Sequence, residues 1–184
     1  MSVSVTRQAL RKSDEVGILI APTPGASSLE SKLAARLDVL LRRTCRIARA
    51  VTGAEQAALQ VWVEDASQAR KFFSLSKKYA AFRDFRVDPK GIGLHGMAIP
   101  PGDVVRLTEA EVLAHPHYFG FGLVADAHPP LRGWLAASVC CDDGRVCGLL
   151  QLSDKSGDRE FDESDETDIR ELAALTARRS RRYA

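Results

Sequence analysis

Residues 135–152 read LAASVCCDDGRVCGLLQL, in which two apolar runs are separated by Asp143-Gly144. An Asp-Gly pair in this setting is the strongest short-range signal for a β-hairpin with a two-residue type I′ turn. Such a turn places Asp142 opposite Arg145, and every later cross-strand pair follows from that one. The sequence therefore predicts two antiparallel strands with the pairs Cys140–Cys147, Ser138–Leu149, Ala136–Gln151 and Trp134–Ser153.

This pairing sorts the side chains into two unlike faces, because successive residues of a strand point to opposite sides of a sheet. One face is apolar throughout and carries Leu135, Ala137, Val139, Cys141, Val146, Gly148, Leu150 and Leu152. The other face combines an indole, hydroxyls, thiols and an amide. An apolar face has to be covered by helices, whereas a buried face that mixes apolar and hydrogen-bonding groups suits a small-molecule pocket. We therefore expect helices on one side of the sheet and a ligand on the other.

The segments before and after the hairpin predict further strands and two long helices. From Leu29 onward, apolar residues recur at helical intervals and indicate a helix of about twenty residues that ends at Gly53. Residues 58–64 and 72–77 alternate as half-buried strands do, and we expect their polar members on the ligand side. The last helix is marked by acidic residues in its first turns and by arginines at its end, a pattern that complements the helix macrodipole.

The middle of the chain, residues 79–127, is less regular and is expected to form a lid over the ligand side. It contains glycines, prolines and an aromatic run at 118–121. Long apolar loops over a sheet are commonly functional. Within this stretch we expect a strand near 103–107 and a short helix capped by Thr108.

Several short motifs around the hairpin resemble those of one known family. They are the His128-Pro129-Pro130 segment leading to Trp134, the run 151–155, and then Phe161 followed by Asp165-Glu166. Together they resemble the GAF domain, a sensory module of many bacterial signalling proteins, over roughly residues 29–178. The end of this pattern is similar to the Asn-Lys…Phe-x3-Asp-Glu signature of nucleotide-binding GAF domains. Asp154 stands where that signature has Asn, a departure that does not favour cyclic-nucleotide binding.

The resemblance implies an α+β fold that is GAF/PAS-like. Such a fold has a central antiparallel sheet of about five or six strands, with the N- and C-terminal helices on one face and a lid and pocket on the other. The resemblance also gives Lys155, Phe161, Asp165 and Glu166 a structural role. In particular, Lys155 at a strand end can pair with Asp165 of the next helix and hold strand to helix.

Length and composition agree with one globular module. The 184 residues are 45% hydrophobic and 27% charged, with a formal net charge of +2. We divide them into a flexible N-terminal segment (1–28), the GAF domain (29–178) and a basic tail (179–184). The nearly balanced charge does not favour nucleic acid as a partner, and the absence of a long apolar run does not favour a membrane. The four cysteines follow no framework spacing, so the protein is expected to be cytoplasmic.

The candidate ligand contacts lie on the mixed face of the hairpin and in the lid. They are Tyr79, His95, His128, Trp134, Ser138, Gln151 and Ser153. Trp134 can stack on a planar ligand, Gln151 offers a donor and an acceptor, and Tyr79 is expected at the rim of the pocket. Some GAF domains with a His-Pro-Pro segment bind haem through a lid histidine, so the resemblance leaves haem open as a cofactor through His128. A metal site at His115-x-His117 is not favoured, because no further ligand follows at structural-zinc spacing.

Three reactive chemistries are alternatives to the sensory interpretation. Cys140 and Cys147, predicted to face each other, suggest a redox switch, although two small buried thiols are the simpler interpretation. Methionine sulfoxide reductases also occur on this fold, with reactive cysteines in the lid, and the lid of this chain has none. Hydrolase motifs are absent from the sequence as well. From these observations the chain is expected not to be an enzyme.

The function expected from the sequence is that of a sensory domain. It would bind a small molecule and relay the signal through its terminal helices, as a homodimer, to a kinase or other signalling protein in trans. Two alternatives stay open. One is a ligand-free dimerisation scaffold whose pocket is filled by its own side chains, and the other is a haem or redox sensor.

Overall fold

The computed structural model describes residues 28–63, 68–82, 93–94, 97–118 and 131–180. Its helices are α1 (Ser28–Thr52), α2 (Glu109–Ala114) and α3 (Glu163–Ser180), and a 3-10 turn spans Lys77–Phe82. Its strands are β1 (Ala54–Val63), β2 (Gln68–Leu75), β3 (Val104–Thr108), β4 (Gly133–Cys140) and β5 (Val146–Lys155). They form one antiparallel sheet in the order β2-β1-β5-β4-β3. The predicted α+β class with a central antiparallel sheet is confirmed. A membrane-crossing helix is not found in these ranges, since none combines enough length with enough apolar character.

The ends of the helices follow local sequence signals. α1 ends before Gly53, whose φ of +70° is a left-handed conformation that glycine adopts without strain. α2 begins at the predicted cap, where the Thr108 side chain accepts from the backbone N–H of Glu111 and the Glu111 carboxylate accepts from the N–H of Thr108. This reciprocal pair is a capping box.

The register predicted for the hairpin is confirmed along most of its length. Trp134 pairs with Ser153, Ala136 with Gln151 and Ser138 with Leu149. The division into two faces also holds along that length, but not for Val146 and Cys147 near the loop. Leu135, Ala137, Val139, Leu150 and Leu152 are buried against residues of α1 and α3, such as Leu41 and Ile169. We call this side the helix face and the opposite side the Trp134 face.

The predicted turn itself is wrong, and so is the pairing of Cys140 with Cys147. The N–H of Cys141 donates to the Arg145 carbonyl at 2.8 Å and the N–H of Gly144 to the Cys141 carbonyl at 3.0 Å, so the loop spans residues 142–144. This longer loop, with Gly144 at φ +81°, shifts the pairing by one residue. A bulge then shifts it back, because Cys140 pairs with Val146 and Val139 with Gly148. Cys147 is the extra residue of the bulge and packs against the helix-face core.

The facing of β2 also differs from the prediction. Phe72 lies opposite Leu59 and is buried on the helix face, and Ser74, opposite Ala57, lies on the same side. Phe73 therefore points to the Trp134 face. The reason is the cover that α1 provides, since the guanidinium groups of Arg42 and Arg70 lie 5.5 and 5.7 Å from the centre of the Phe72 ring. A ring with cations this close to its centre is stabilised beyond the burial of its area.

Candidate functional site

The Trp134 face of the sheet carries rows of side chains that its register defines. One row runs Ser138, Leu149, Gln60, Lys71 across four strands, and the next runs Ala136, Gln151, Ala58, Phe73. Directly opposite residues of neighbouring strands point to the same side of a sheet. Gln60 and Gln151 are thus diagonal neighbours, and alanines flank Gln151 on both sides.

Both glutamines bring a buried, unpartnered acceptor to this face. The Oε1 atoms of Gln60 and Gln151 are shielded from solvent, and neither has a hydrogen-bond partner in the described part of the chain. Gln60 as a whole is only 5% exposed. An unsatisfied buried acceptor costs about 1–3 kcal/mol of stability, so such groups call for a donor from outside the fold. Gln151 was among the predicted contacts, whereas Gln60 was not. Alternation in residues 58–64 predicted the ligand side for Gln60, but its place beside Gln151 depends on the pairing of β1 with β5, which the hairpin sequence does not contain.

Trp134 lies on the expected face but is covered by the protein itself. It is 2% exposed and belongs to a second apolar cluster that includes Leu94, Ile99, Val112 and Leu131. Val112 belongs to α2, which therefore packs onto the sheet beside β3. At this end of the face, the indole is packed against side chains of the chain itself and is not free to stack on a ligand.

The two predicted serines have different surroundings. The Ser138 hydroxyl donates to the Pro100 carbonyl at 2.8 Å and accepts from the N–H of Gly102 at 2.9 Å. These bonds hold the turn before β3 to β4 and use the hydroxyl for structure. Ser153 is buried between Gln56 and Trp134 in the row at the end of the sheet.

Tyr79 was expected at the rim of the pocket, but it is fully buried. Its hydroxyl donates to Oδ2 of Asp154 at 2.5 Å. Burial, and then this hydrogen bond, raise the pKa of Tyr79 well above its ordinary value, so it stays a neutral donor at physiological pH. Its role in the structure is to support Asp154.

Asp154, which replaces the Asn of the signature, is buried and accepts hydrogen bonds from three other residues, a role that the sequence did not reveal. It is 2% exposed and has φ of 52°, a conformation that Asp and Asn tolerate better than most residues. Besides Tyr79, its carboxylate accepts from Lys78 Nζ at 2.9 Å and from the backbone N–H of Arg132 at 2.7 Å. It thus ties the end of β5 to the 3-10 turn after β2 and to the chain entering β4. Its charge is fully partnered within the fold.

Within the structural signature, Lys155 pairs with Asp165, the one contact that the sequence suggested. Lys155 Nζ lies 2.6 Å from Oδ2 of Asp165 and 2.9 Å from Oδ2 of Asp162. Burial opposes the charge of Lys155, but the hydrogen bonds to Asp165 and Asp162 together raise its pKa. Asp162 also caps α3, accepting from the N–H groups of Ser164 and Asp165. The end of β5 is therefore bonded to the start of α3.

The other two signature residues, Phe161 and Glu166, connect the start of α3 to the core and to β3. Phe161 is buried in the helix-face core, and Glu166 accepts from Arg106 Nε at 2.6 Å. Arg106 also donates to the Phe161 carbonyl at 3.2 Å, which links β3 to the start of α3.

A polar groove of about 330 Å³ lies where α1 ends and α3 begins. It is lined by Thr52, Gly53, Lys155, Arg159, Asp162 and Asp168, among others. Its lysine, Lys155, is already paired with the carboxylates of Asp162 and Asp165. The groove therefore does not carry the unsatisfied groups that mark the Trp134 face.

The histidine and cysteine hypotheses meet the structure only in part. His95 and His128, the latter the candidate for haem ligation, lie outside the described residues. Over the described ranges, no group of three or more His, Cys, Asp or Glu side chains can hold a metal ion. Burial, followed by the neighbouring Cys141 thiol, raises the pKa of Cys147 to about 12, which leaves almost no thiolate at neutral pH.

Comparisons with known proteins identify the family of this chain and solved structures with a similar fold. The family model described as GAF domain matches residues 36–179. A type II free methionine-R-sulfoxide reductase from Thermoplasma acidophilum superposes with a TM-score of 0.60 at 16% identity, covering 82% of this chain and 96% of that one. The GAF domain of a phosphoenolpyruvate-protein phosphotransferase from Coxiella burnetii gives 0.59 at 17%, covering 81% and 88%. A far-red cyanobacteriochrome photoreceptor gives 0.58 at 10%, covering 81% and 90%. No curated protein sequence matches the chain.

These findings correct the prediction that the chain is not an enzyme. That prediction rested on the lack of cysteines in the lid and of hydrolase motifs in the sequence, but a solved structure with this fold is a methionine-R-sulfoxide reductase. A second, from Neisseria meningitidis, was solved with its substrate. The fold therefore does not exclude an enzyme. At these identities the likeness shows the fold and carries no activity over to this chain.

Proposed function

Because this chain belongs to the GAF domain family, we propose that it is a sensory domain that binds a small molecule on the Trp134 face and relays binding to its terminal helices. The observation that carries the proposal is the contrast between the faces of one sheet. The helix face is covered by α1 and α3, while the Trp134 face contains two buried acceptors that have no partner among the described residues. A ligand site is a largely apolar surface with a few oriented polar groups, and this face has that composition.

Two routes lead from the face to the helices, one through an ion pair and one along the chain. Along β5, Gln151 is four residues from Lys155, which is bonded to Asp165 of α3. Along β1, Gln60 is connected through Gly53 to the end of α1. A ligand that favours one arrangement of these strands shifts the population of helix arrangements by its differential affinity. Receptors of light among the solved structures with this fold support a sensory role.

The output of the domain would be delivered by a homodimer to a signalling protein in trans, such as a kinase. Large apolar side chains lie exposed on the outer surfaces of the terminal helices. They are Val39, Ile47 and Val51 on α1 and Leu175 on α3. The first three follow helical spacing and form one stripe, which a second copy would cover. Helices joined across such an interface would carry a shift from one subunit to the partner.

A scaffold without a ligand is the second candidate, and the packing of Trp134 favours it. The indole is buried by Leu131, Val112 and their neighbours, so part of the face is already filled by the protein. In this function the domain would serve dimerisation alone. The same dimer stripe is expected for both candidates, so the ligand is what separates them.

Native mass spectrometry of the freshly purified full chain, together with its absorption spectrum, tests the proposal. The sensory domain predicts a small molecule that stays bound under native conditions and leaves on denaturation. A Soret band would assign that molecule as haem. A protein whose native mass equals that of its polypeptides, without any adduct, would contradict sensing and favour the scaffold.

A further inference from the structure

We infer that Gln60 and Gln151 select an uncharged small molecule that offers two hydrogen-bond donors, an inference that rests on the proposed function. Each glutamine holds an acceptor oxygen that is buried and unpartnered among the described residues. A bound molecule that donates to both oxygens removes two desolvation penalties at once. A molecule without donors leaves both in place.

The register places the two acceptors within reach of one molecule. Gln60 lies opposite Leu149, and Gln151 lies opposite Ala58, so the glutamines are diagonal neighbours on adjacent strands. Diagonal neighbours on one face are about 7–8 Å apart at the backbone, and glutamine side chains span much of that distance. Ala58 and Ala136 flank Gln151 on the two neighbouring strands, and their side chains are shorter than the Gln151 side chain. A flat molecule with donors on one edge fits this arrangement.

The charges around the amides determine the charge of the molecule. Among the described strand residues of the Trp134 face, Lys71 is charged and none is acidic. Among these strand residues, a cation would therefore find no counter-ion beside Gln60, where Lys71 lies opposite. Asp154 at the strand end is already bonded to Lys78, Tyr79 and the N–H of Arg132. An anion could accept from the NH2 groups of the glutamines but would offer the two unpartnered oxygens no donor. The remaining class is a neutral donor such as an amide, a urea or the edge of a nucleobase.

Three probes of the same size and shape separate these classes. Benzamide is neutral and donates, benzamidinium is cationic and donates, and benzoate is anionic and only accepts. We would titrate each into the full chain, stripped of any retained molecule, and follow binding by ligand-observed NMR. Benzamide is expected to bind more tightly than either charged probe. Replacing one acceptor, in Gln60→Met or Gln151→Met, should weaken benzamide binding by roughly tenfold.

Gln56→Met is the matched control. Gln56 lies on the same face and strand as Gln60 but is not among the side chains with a buried unpartnered atom. Its replacement should leave benzamide binding unchanged. The two test variants should fold at least as stably as the parent, because each removes an unpaired acceptor and keeps the volume of the side chain.

Three results of the titrations would overturn the inference. They are no binding of benzamide, benzamide binding that is indifferent to both test variants, and benzoate binding as tight as that of benzamide. None of these bears on whether a molecule is retained in native mass spectrometry. A molecule that stays bound to the Gln60→Met, Gln151→Met double variant would leave the sensory proposal standing and refute the donor selection. A parent protein with no retained molecule would refute the sensory proposal itself.

Discussion

At the scale of single residues, the most consequential position is Asp154. A carboxylate with three donors in a left-handed backbone joins elements that are far apart in sequence. The sequence showed only that this residue departs from the Asn of the signature. Its partners Lys78, Tyr79 and Arg132 are not marked by any local pattern, because the contacts depend on how β5 ends and not on periodicity.

Asp154→Asn should destabilise the domain by about 1–3 kcal/mol. The amide fits the same backbone conformation but loses the ion pair with Lys78 and the charge-assisted bond from Tyr79. Asp158→Asn is the matched control, since Asp158 has the same φ of 52° but a side chain that is 78% exposed. Urea unfolding of both variants measures the difference. Equal midpoints for the two variants would contradict the role assigned to Asp154.

Lys155→Met should destabilise by about 3 kcal/mol, because it leaves the buried Asp165 carboxylate without its cation. The hydrogen bond from Lys155, followed by the N–H of Asp165, lowers the pKa of Asp162. Such a group contributes stability above its unfolded pKa and loses that contribution as the pH falls through the lowered pKa. The gap between parent and variant should therefore narrow in acid.

Unfolding free energies measured between neutral and acidic pH test this expectation. Arg145→Met, which removes the surface pair with Asp143, serves as the control and should change stability little at any pH. A gap between parent and Lys155→Met that stays constant, or widens in acid, would show that the joint between β5 and α3 does not depend on these charges.

At the scale of elements, the hairpin shows how much the sequence can predict. The Asp-Gly pair and the alternation of residues gave the correct pairing of Trp134 with Ser153 and the correct division of faces. The sequence missed both the longer loop and the bulge, and the register was still correct because the two shifts cancel. Patterning is sensitive to which face is apolar, but it does not distinguish a short loop from a longer loop that a bulge compensates.

β2 could not be predicted in the same way. Its sequence contains two neighbouring phenylalanines, and alternation alone fits either one on the helix face. The choice of Phe72 depends on Leu59 opposite it and on the arginines of α1 and β2 that flank its ring. For Gln60, the alternation of residues 58–64 gave the correct face but not its neighbour Gln151. Its position beside Gln151 follows from the β1–β5 pairing, a contact between segments distant in sequence.

Two glycine variants test the hairpin at this scale. A Cβ at Gly148 would lie 2.6 Å from the Gln60 carbonyl oxygen, a collision with the backbone of β1. A Cβ at Gly144 meets nothing within 4 Å, so only its left-handed conformation resists substitution. We expect Gly144→Ala to cost about 1 kcal/mol and Gly148→Ala clearly more. Thermal unfolding of both measures this order, and the reverse order would contradict the close packing of β5 on β1.

At the scale of the whole molecule, the proposed dimer depends on the exposed apolar stripe of α1. Ile47→Glu, at a residue that is 48% exposed, should convert the dimer to a monomer because it places a charge in the interface. Leu113→Glu is the control, since Leu113 is 64% exposed on α2, away from the stripe. Sedimentation over a range of concentrations measures both. A dimer that survives Ile47→Glu but dissociates with Leu113→Glu would place the interface elsewhere.

The central claim is that a molecule on the Trp134 face changes the helices on the opposite side of the sheet. Hydrogen–deuterium exchange of the full chain with its retained molecule, compared with the stripped protein, tests it most directly. The claim predicts slower exchange in β1 and β5 around Gln60 and Gln151 when the molecule is bound, together with a change in α1 and α3. Slower exchange confined to other segments, or strands that respond while both helices stay unchanged, would contradict it.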